Sequence, residues 1–250
     1  MAGTAVMDAE IAGEDLAMIA GFYNTYPYSL VVAPDIQTAN DLRGKSLGIS
    51  KPGTAIDSAT RTALNILGLD PDKDVALLSI GVAAQSLAAM QAGRISGTVL
   101  AVPELNEAQK LGYRVLVDLP SLKIPYQFIG IATTRSYLKQ NRQVAINFMK
   151  AIIEALALMK TDQEGTQAVL AKYLQLDTKE QAELLDQAYN VVVLGQIPKV
   201  PYPTLEGYRT ILNDLSKTNP NATKFQPEDA VDLSIVQELE ASGFIDNLYK

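Results

Sequence analysis

The chain contains no cysteine and no histidine. Those two absences remove Ser-His-Asp and Cys-His nucleophilic catalysis, Cys/His zinc sites, haem ligation by histidine and thiol redox chemistry. Carboxylate-only or lysine-based chemistry survives, and a cysteine-free chain suits any redox compartment. No apolar run approaches the ~20 residues that span a bilayer. The first ten residues lack a basic segment and carry Asp8 and Glu10 where a signal peptide has its apolar core, so they read as soluble and without an export signal. Positive charge is also scarce: 21 basic against 28 acidic residues leave a net charge of −7. Phosphate backbones are bound by concentrated basic surfaces, and the basic residues here are scattered, so nucleic acid is not an expected partner. A small anion remains open as a ligand, because backbone N–H groups bind anions without nearby Lys or Arg.

What is present is an ordinary globular composition, 48% hydrophobic and 20% charged over 250 residues, enough for one large domain or two small lobes. Residues 2–16 read as helix, and residues 18–22 and 28–32 as strands. After a short polar connection a second strand within 41–50 runs into the turn Pro52-Gly53, and Ile56, Ala59, Ala63, Leu64 and Leu67 then recur at helical spacing up to Gly68. Strands over 74–80, 98–102 and 113–119 alternate with helices over 84–92 and 106–111. This alternation predicts an α/β lobe with a largely parallel sheet. A long strand follows at 127–134. Beyond it the pattern turns helical: a long amphipathic helix carries Ala145, Phe148, Met149, Ile152, Leu156 and Met159, and others centre on Tyr208 and on residues 233–241. Thr161 to Glu164 and Thr178 to Gln181 have the form of capping boxes.

The candidate site begins at Lys51, Gly53, Thr54 and Ala55, where a strand meets a glycine-bearing turn and a helix N-terminus. Free N–H groups and the Thr54 hydroxyl there suit a carboxylate, sulfonate or phosphate. The competing reading is a plain cap, with Thr54 and Asp57 forming Thr-x-x-Asp. Gln85 opens the next helix, as a ligand hydrogen-bonding group or as a surface residue. Pro103 and Glu104 end a strand at the same sheet edge, where open α/β sheets bind ligands. Glu104 suits a ligand amine or open solvent. Tyr126 and Gln127 begin the return strand, as a wall of the site or as packing. Tyr23, Tyr26 and Tyr28 fit an aromatic wall or a packed hinge equally.

The segments Tyr28 to Pro34 and Asp41-Leu42-Arg43-Gly44-Lys45 to Ser50 resemble the start of the second lobe in solute-binding proteins of nitrate/sulfonate/taurine ABC importers. So do, in order, Ala88 to Ile95, Gly112 to Leu116, Ile124 to Gln127, Arg135 to Leu138, Val200 to Thr204 and Glu240 to Asp246. The resemblance covers nearly the whole chain. It implies a type II periplasmic-binding-protein fold with two lobes and a two-strand hinge, residues 1–33 with 125–250 forming lobe one and 34–124 lobe two. The strands at 28–32 and 128–133 are then expected side by side. It further implies capture of a small organic or inorganic anion between the lobes, a permease and an ATPase as partners, an extracytoplasmic location, no enzyme activity and no cofactor. Complete members carry about two further βα units at the start of lobe one. Their absence here predicts an incomplete lobe, weakened capture, and an unpaired sheet edge that invites a homodimer. Related thiamin-pyrimidine synthases use an active-site histidine, which this chain lacks. A LysR-like regulator needs a helix-turn-helix for which residues 1–16 are too short. A folded remnant that binds nothing is the remaining alternative.

Overall fold

A computed structural model describes residues 1–250. In chain order the elements are α1 (Gly3–Ile11), β1 (Leu16–Thr25), β2 (Ser29–Val32), β3 (Ser46–Ile49), α2 (Ala55–Ile66), β4 (Ala76–Ser79), α3 (Ala83–Gln91), β5 (Gly97–Leu100), α4 (Glu104–Lys110) and β6 (Arg114–Asp118). They continue with α5 (Leu119–Leu122), β7 (Pro125–Thr134), α6 (Arg135–Gln140), α7 (Arg142–Thr161), α8 (Gln163–Leu174), α9 (Ala182–Ala188), a π-helical turn (Tyr189–Leu194), α10 (Leu205–Leu215), α11 (Ser234–Ala241) and α12 (Phe244–Asn247). The chain forms two compact units, one of Met1–Asn24 with Pro125–Lys250 and one of Thr25–Ile124. It passes between them twice, and the first crossing comes earlier than residue 33.

The Thr25–Ile124 unit holds a five-stranded sheet in the order β4-β3-β5-β2-β6. The expected largely parallel sheet is corrected to a mixed one: β3 pairs in parallel with β4 and β5, whereas β2 pairs antiparallel with both β5 and β6. The reason lies in the connections: β3, β4, β5 and β6 are joined through α2, α3 and α4, crossovers that return the chain in the same direction, whereas no such helix joins β2 to β3. β2 itself lies between β5 and β6 with all four residues buried. Accordingly β2 does not lie beside β7, which corrects the expected pairing of 28–32 with 128–133. The strand beside β7 is β1, whose Gly21 and Asn24 disguise a ten-residue strand. Val31, Leu87, Met90, Ile95, Leu100 and Ala108 form one core of this unit.

In the other unit β1 and β7 make a two-stranded sheet. Its outer edges are occupied, contrary to the expectation of an open edge. Along β7 the N-terminal amine donates to Gly130 O at 2.7 Å, and Gly130 N donates to Met1 O at 3.0 Å. Along β1, Gly21 N donates to Pro201 O and Asp232 N donates to Met18 O. Ile19, Ala20, Leu138, Met149, Ile153, Ile235, Leu239 and Ile245 build the core between this sheet, α6, α7 and the C-terminal helices. No helix is long and apolar enough to cross a membrane. Two capping boxes shift from their expected places. Asp162, not Thr161, caps α8 by accepting Gly165 N at 2.9 Å, and the turn before α9 is closed by Asp177 and Gln181.

Candidate functional site

Because β3, β4, β5 and β6 run one way and β2 the other, one edge of the five-stranded sheet collects the C-terminal ends of four strands and the start of β2. The β3–α2, β4–α3 and β5–α4 turns all leave from it. Lys51, Gly53, Thr54, Ala55, Gln85, Pro103 and Glu104 therefore come together at this edge. Neighbouring strands lie about 4.8 Å apart, so the β3 turn is next to the β5 turn, and the β5 turn is next to Tyr28.

At the β3–α2 turn Gly53 takes φ +79°, a left-handed conformation that favours glycine. The Thr54 hydroxyl donates to Lys51 O at 2.8 Å and meets Ser50 Oγ at 2.7 Å. It also accepts Asp57 N at 3.5 Å. Asp57 returns the contact: its Oδ2 accepts Gly53 N at 2.9 Å. The Asp57 carboxylate is buried, and Arg61 Nε donates to its other oxygen at 2.9 Å. Arg61 continues to Asp72 at 2.7 Å. The Thr-x-x-Asp cap is thus built, and it spends the Gly53 donor. The N–H groups of Ala55 and Ile56 stay outside the helical ladder, since the first turn has no preceding carbonyls to pair with. Lys51 is exposed beside them.

Gln85 acts locally. Its Oε1 accepts Val82 N at 3.0 Å, capping α3, and its amide lies over the Gly81 backbone. Its Nε2 end makes no hydrogen bond within the chain. At the β5–α4 turn Glu104 opens α4, and its charge together with burial pushes the Tyr28 phenol up to about 12, burial being the larger cause. Next to Tyr28, the buried Ser29 hydroxyl donates to Asp118 at 2.9 Å. Sequence reasoning did not single out Asp57 and Arg61 as a pair, although their i, i+4 spacing on one helix was the signal for it.

Tyr126 and Gln127 lie in the other unit, on β7, and both are buried. The Gln127 Oε1 accepts Thr204 N at 2.8 Å and its Nε2 donates to Ile129 O at 3.3 Å, so both ends of this amide are engaged within that unit. Tyr26 is fully buried, with its hydroxyl 2.7 Å from Ser58 Oγ, and Tyr23 packs edge-on against Phe128 at 5.8 Å. Of the three tyrosines, Tyr28 reaches the sheet edge.

Residues 9–175 match the model of the NMT1-like family. No protein of curated function matches the sequence. Among solved structures the chain is similar to the periplasmic aliphatic sulphonate binding protein SsuA from Escherichia coli, at 22% identity and a TM-score of 0.72, over 93% of this chain and 74% of that one. It is also similar to the alkanesulfonate-binding protein SsuA from Xanthomonas axonopodis pv. citri bound to MOPS, at 17% identity and TM-score 0.68, over 93% and 78%. The desulfurization enzyme DSZB is a further neighbour, at 14% identity and TM-score 0.66, over 91% and 80%. With its two units, its double crossing and a family match over more than half its length, the chain belongs to the NMT1-like family and has the type II periplasmic-binding-protein fold.

Proposed function

We propose that this chain is a solute-binding protein of an ABC-type importer that takes up a small organic anion, with the anionic end at the β3–α2 turn. The carrying observation is the convergence of three strand–helix turns on one sheet edge, with the N–H groups of Ala55 and Ile56 outside the helical ladder and Lys51 alongside. Two of its structural neighbours are named as sulfonate-binding proteins, which supports a sulfonate over nitrate. A permease and an ATPase are the partners this role requires, and an extracytoplasmic location goes with it. The Gln85 and Glu104 side chains would set how the remainder of the ligand sits, with the engaged Thr54 hydroxyl holding the turn in shape. The engaged Gln127 amide supports a packing role for that residue.

An enzymatic role like that of the desulfurization neighbour has less support, because the chain offers neither cysteine nor histidine as nucleophile or base. The test is calorimetry of the purified chain against methanesulfonate, ethanesulfonate, MOPS, nitrate, acetate and an aminopyrimidine. Saturable heat with a sulfonate, absent with nitrate and the pyrimidine, is the expected result. No heat with any of the anions would overturn the proposal.

A further inference from the structure

For a place that takes an anion, the β3–α2 turn is poor in net positive charge. Lys51, exposed at the turn, is the one cation there that no carboxylate holds. Two carboxylates stand against it. Asp57 is only 5% exposed, and its Oδ2 lies 2.9 Å from Gly53 N, inside the helix end that would receive a ligand. Glu104 is half-buried at the start of α4, on the neighbouring β5 turn about one strand spacing away. The guanidinium nearest Asp57 brings no surplus charge, because Arg61 divides itself between Asp57 at 2.9 Å and Asp72 at 2.7 Å. The α2 dipole supplies about half a positive charge, and the full charge of Asp57 offsets it. The Thr54 hydroxyl is committed as a donor to Lys51 O. A ligand is left with two N–H groups, those of Ala55 and Ile56, and with Lys51.

We infer that this turn selects its ligand by charge state, taking singly charged anions and rejecting dianions of the same size, such as sulfate and phosphate monoesters; this rests on the proposed placing of the anionic end at the β3–α2 turn. The first negative charge is met by Lys51 and the two N–H groups. A second is met only by repulsion from Asp57 and Glu104. Both carboxylates are withdrawn from solvent, where repulsion is screened less than in open water. Shape cannot make this distinction, since the head of a sulfonate and that of a phosphate monoester are both tetrahedral and of similar size. A helix N-terminus without Asp57 and Glu104 would rank them the other way round, because its dipole and donors attract a dianion more strongly than a monoanion.

Ethanesulfonate and ethyl phosphate separate charge from shape. The sulfonate stays singly charged near neutral pH, whereas a phosphate monoester loses its second proton at about pH 6. In calorimetry of the full chain, ethyl phosphate affinity should fall about tenfold or more from about pH 5.5 to about pH 8. Ethanesulfonate affinity should stay within about twofold over the same range, which excludes titration of the protein as the cause. In Asp57→Asn the fall for ethyl phosphate should shrink. Glu104→Gln, which leaves the α2 cap intact, should shrink it too. An ethyl phosphate affinity that holds or rises with pH while ethanesulfonate binds would overturn charge selection and leave the sulfonate site standing. A fall that is unchanged in Glu104→Gln and in folded Asp57→Asn would also overturn it, by assigning the selection to other groups. Silence from both ligands at every pH would overturn the site itself, and charge selection with it.

Discussion

The Oδ2 atom of Asp57 accepts the backbone N–H of Gly53 at 2.9 Å, so the positive end of α2 already holds an anion of the protein's own. Arg61 neutralises that carboxylate from the opposite side. An external anion at this turn therefore competes with a built-in one for the same helix dipole. Replacing Asp57 with Asn keeps the shape, removes the charge and leaves Arg61 with Asp72. Anion binding should tighten about three- to tenfold, roughly 1 kcal/mol. Stability should fall by about 1–3 kcal/mol, because a buried charged hydrogen bond is lost. Calorimetry with a bound sulfonate and a urea melt read the two effects separately. Unchanged or weaker anion binding in the folded variant would move the anion away from α2.

The donors left for a ligand belong to Ala55 and Ile56, and one of them can be deleted without strain. Ala55 is the first helical residue, where proline is tolerated, and Thr54 before it has φ −88° and ψ 166°, the extended form that precedes proline comfortably. Ala55→Pro should fold normally and lose anion affinity by about 1–3 kcal/mol. Gly53→Pro would not be an equivalent test, since φ +79° is closed to proline and its N–H serves Asp57. Full affinity in folded Ala55→Pro would remove that N–H group from the site.

Tyr28 titrates late because it is half-buried and faces Glu104, which together raise its phenol to about 12. A raised folded value means the fold favours the neutral phenol. That contribution is fully present below the ordinary value of about 10 and is lost as pH climbs from there through 12. Ultraviolet titration of phenolate absorbance should lose one late phenol in Tyr28→Phe, while the other late tyrosines, Tyr202 beside Glu240 and the buried Tyr208, remain. In Glu104→Gln the Tyr28 phenol should move toward 10 but not reach it, since burial is the larger cause. A full return to 10 in Glu104→Gln would make charge, not burial, the main cause.

Much of the Thr25–Ile124 unit was legible in the sequence, because its strands are short apolar runs and its helices are short and punctuated by glycine. Gly68, Gly93 and Gly112 each follow a helix with positive φ, as the pattern required. The Thr54–Asp57 cap was equally legible from spacing. Strand partnership was not, because β2 and β7 are both apolar strands near a crossing and local sequence does not say which sheet each joins. The decisive fact, that β2 is covered on both faces, is a tertiary one. Phe148 misled for a related reason. Its position fits a broad apolar stripe, and only the placement of the core shows that α7 has two apolar faces.

The β1–β7 ribbon closes through Gly130. A Cβ there would lie 1.9 Å from the Ala20 carbonyl oxygen and 2.5 Å from Met18 Sδ. The sulfur could swing away, but the carbonyl belongs to the paired strand and cannot. Gly130→Ala should therefore push the strands apart and cost about 1–3 kcal/mol, the range for overpacking a filled interior. The urea midpoint should drop while the slope stays constant. A wild-type midpoint would mean the ribbon is looser than its geometry.

Gln127 separates a packing role from a binding role. Its wholly buried amide accepts Thr204 N at 2.8 Å, and Thr204 is the N-cap of α10, with its own hydroxyl accepting Gly207 N at 3.1 Å. One side chain on β7 thus fixes where α10 begins. In Gln127→Leu the volume is nearly kept, the Thr204 N–H loses its partner, and the Ile129 carbonyl loses a donor. Stability should fall by about 1–3 kcal/mol, chiefly from the part-buried Thr204 N–H left without its partner, since the Ile129 carbonyl belongs to an exposed residue and can turn to water. Affinity for a sulfonate, measured well below the new melting temperature, should be unchanged within about twofold. Gln127→Glu should be at least as damaging, because a carboxylate would be desolvated at the same point. The opposite pattern, a stable Gln127→Leu protein with binding reduced tenfold or more, would assign Gln127 to the ligand rather than to the fold.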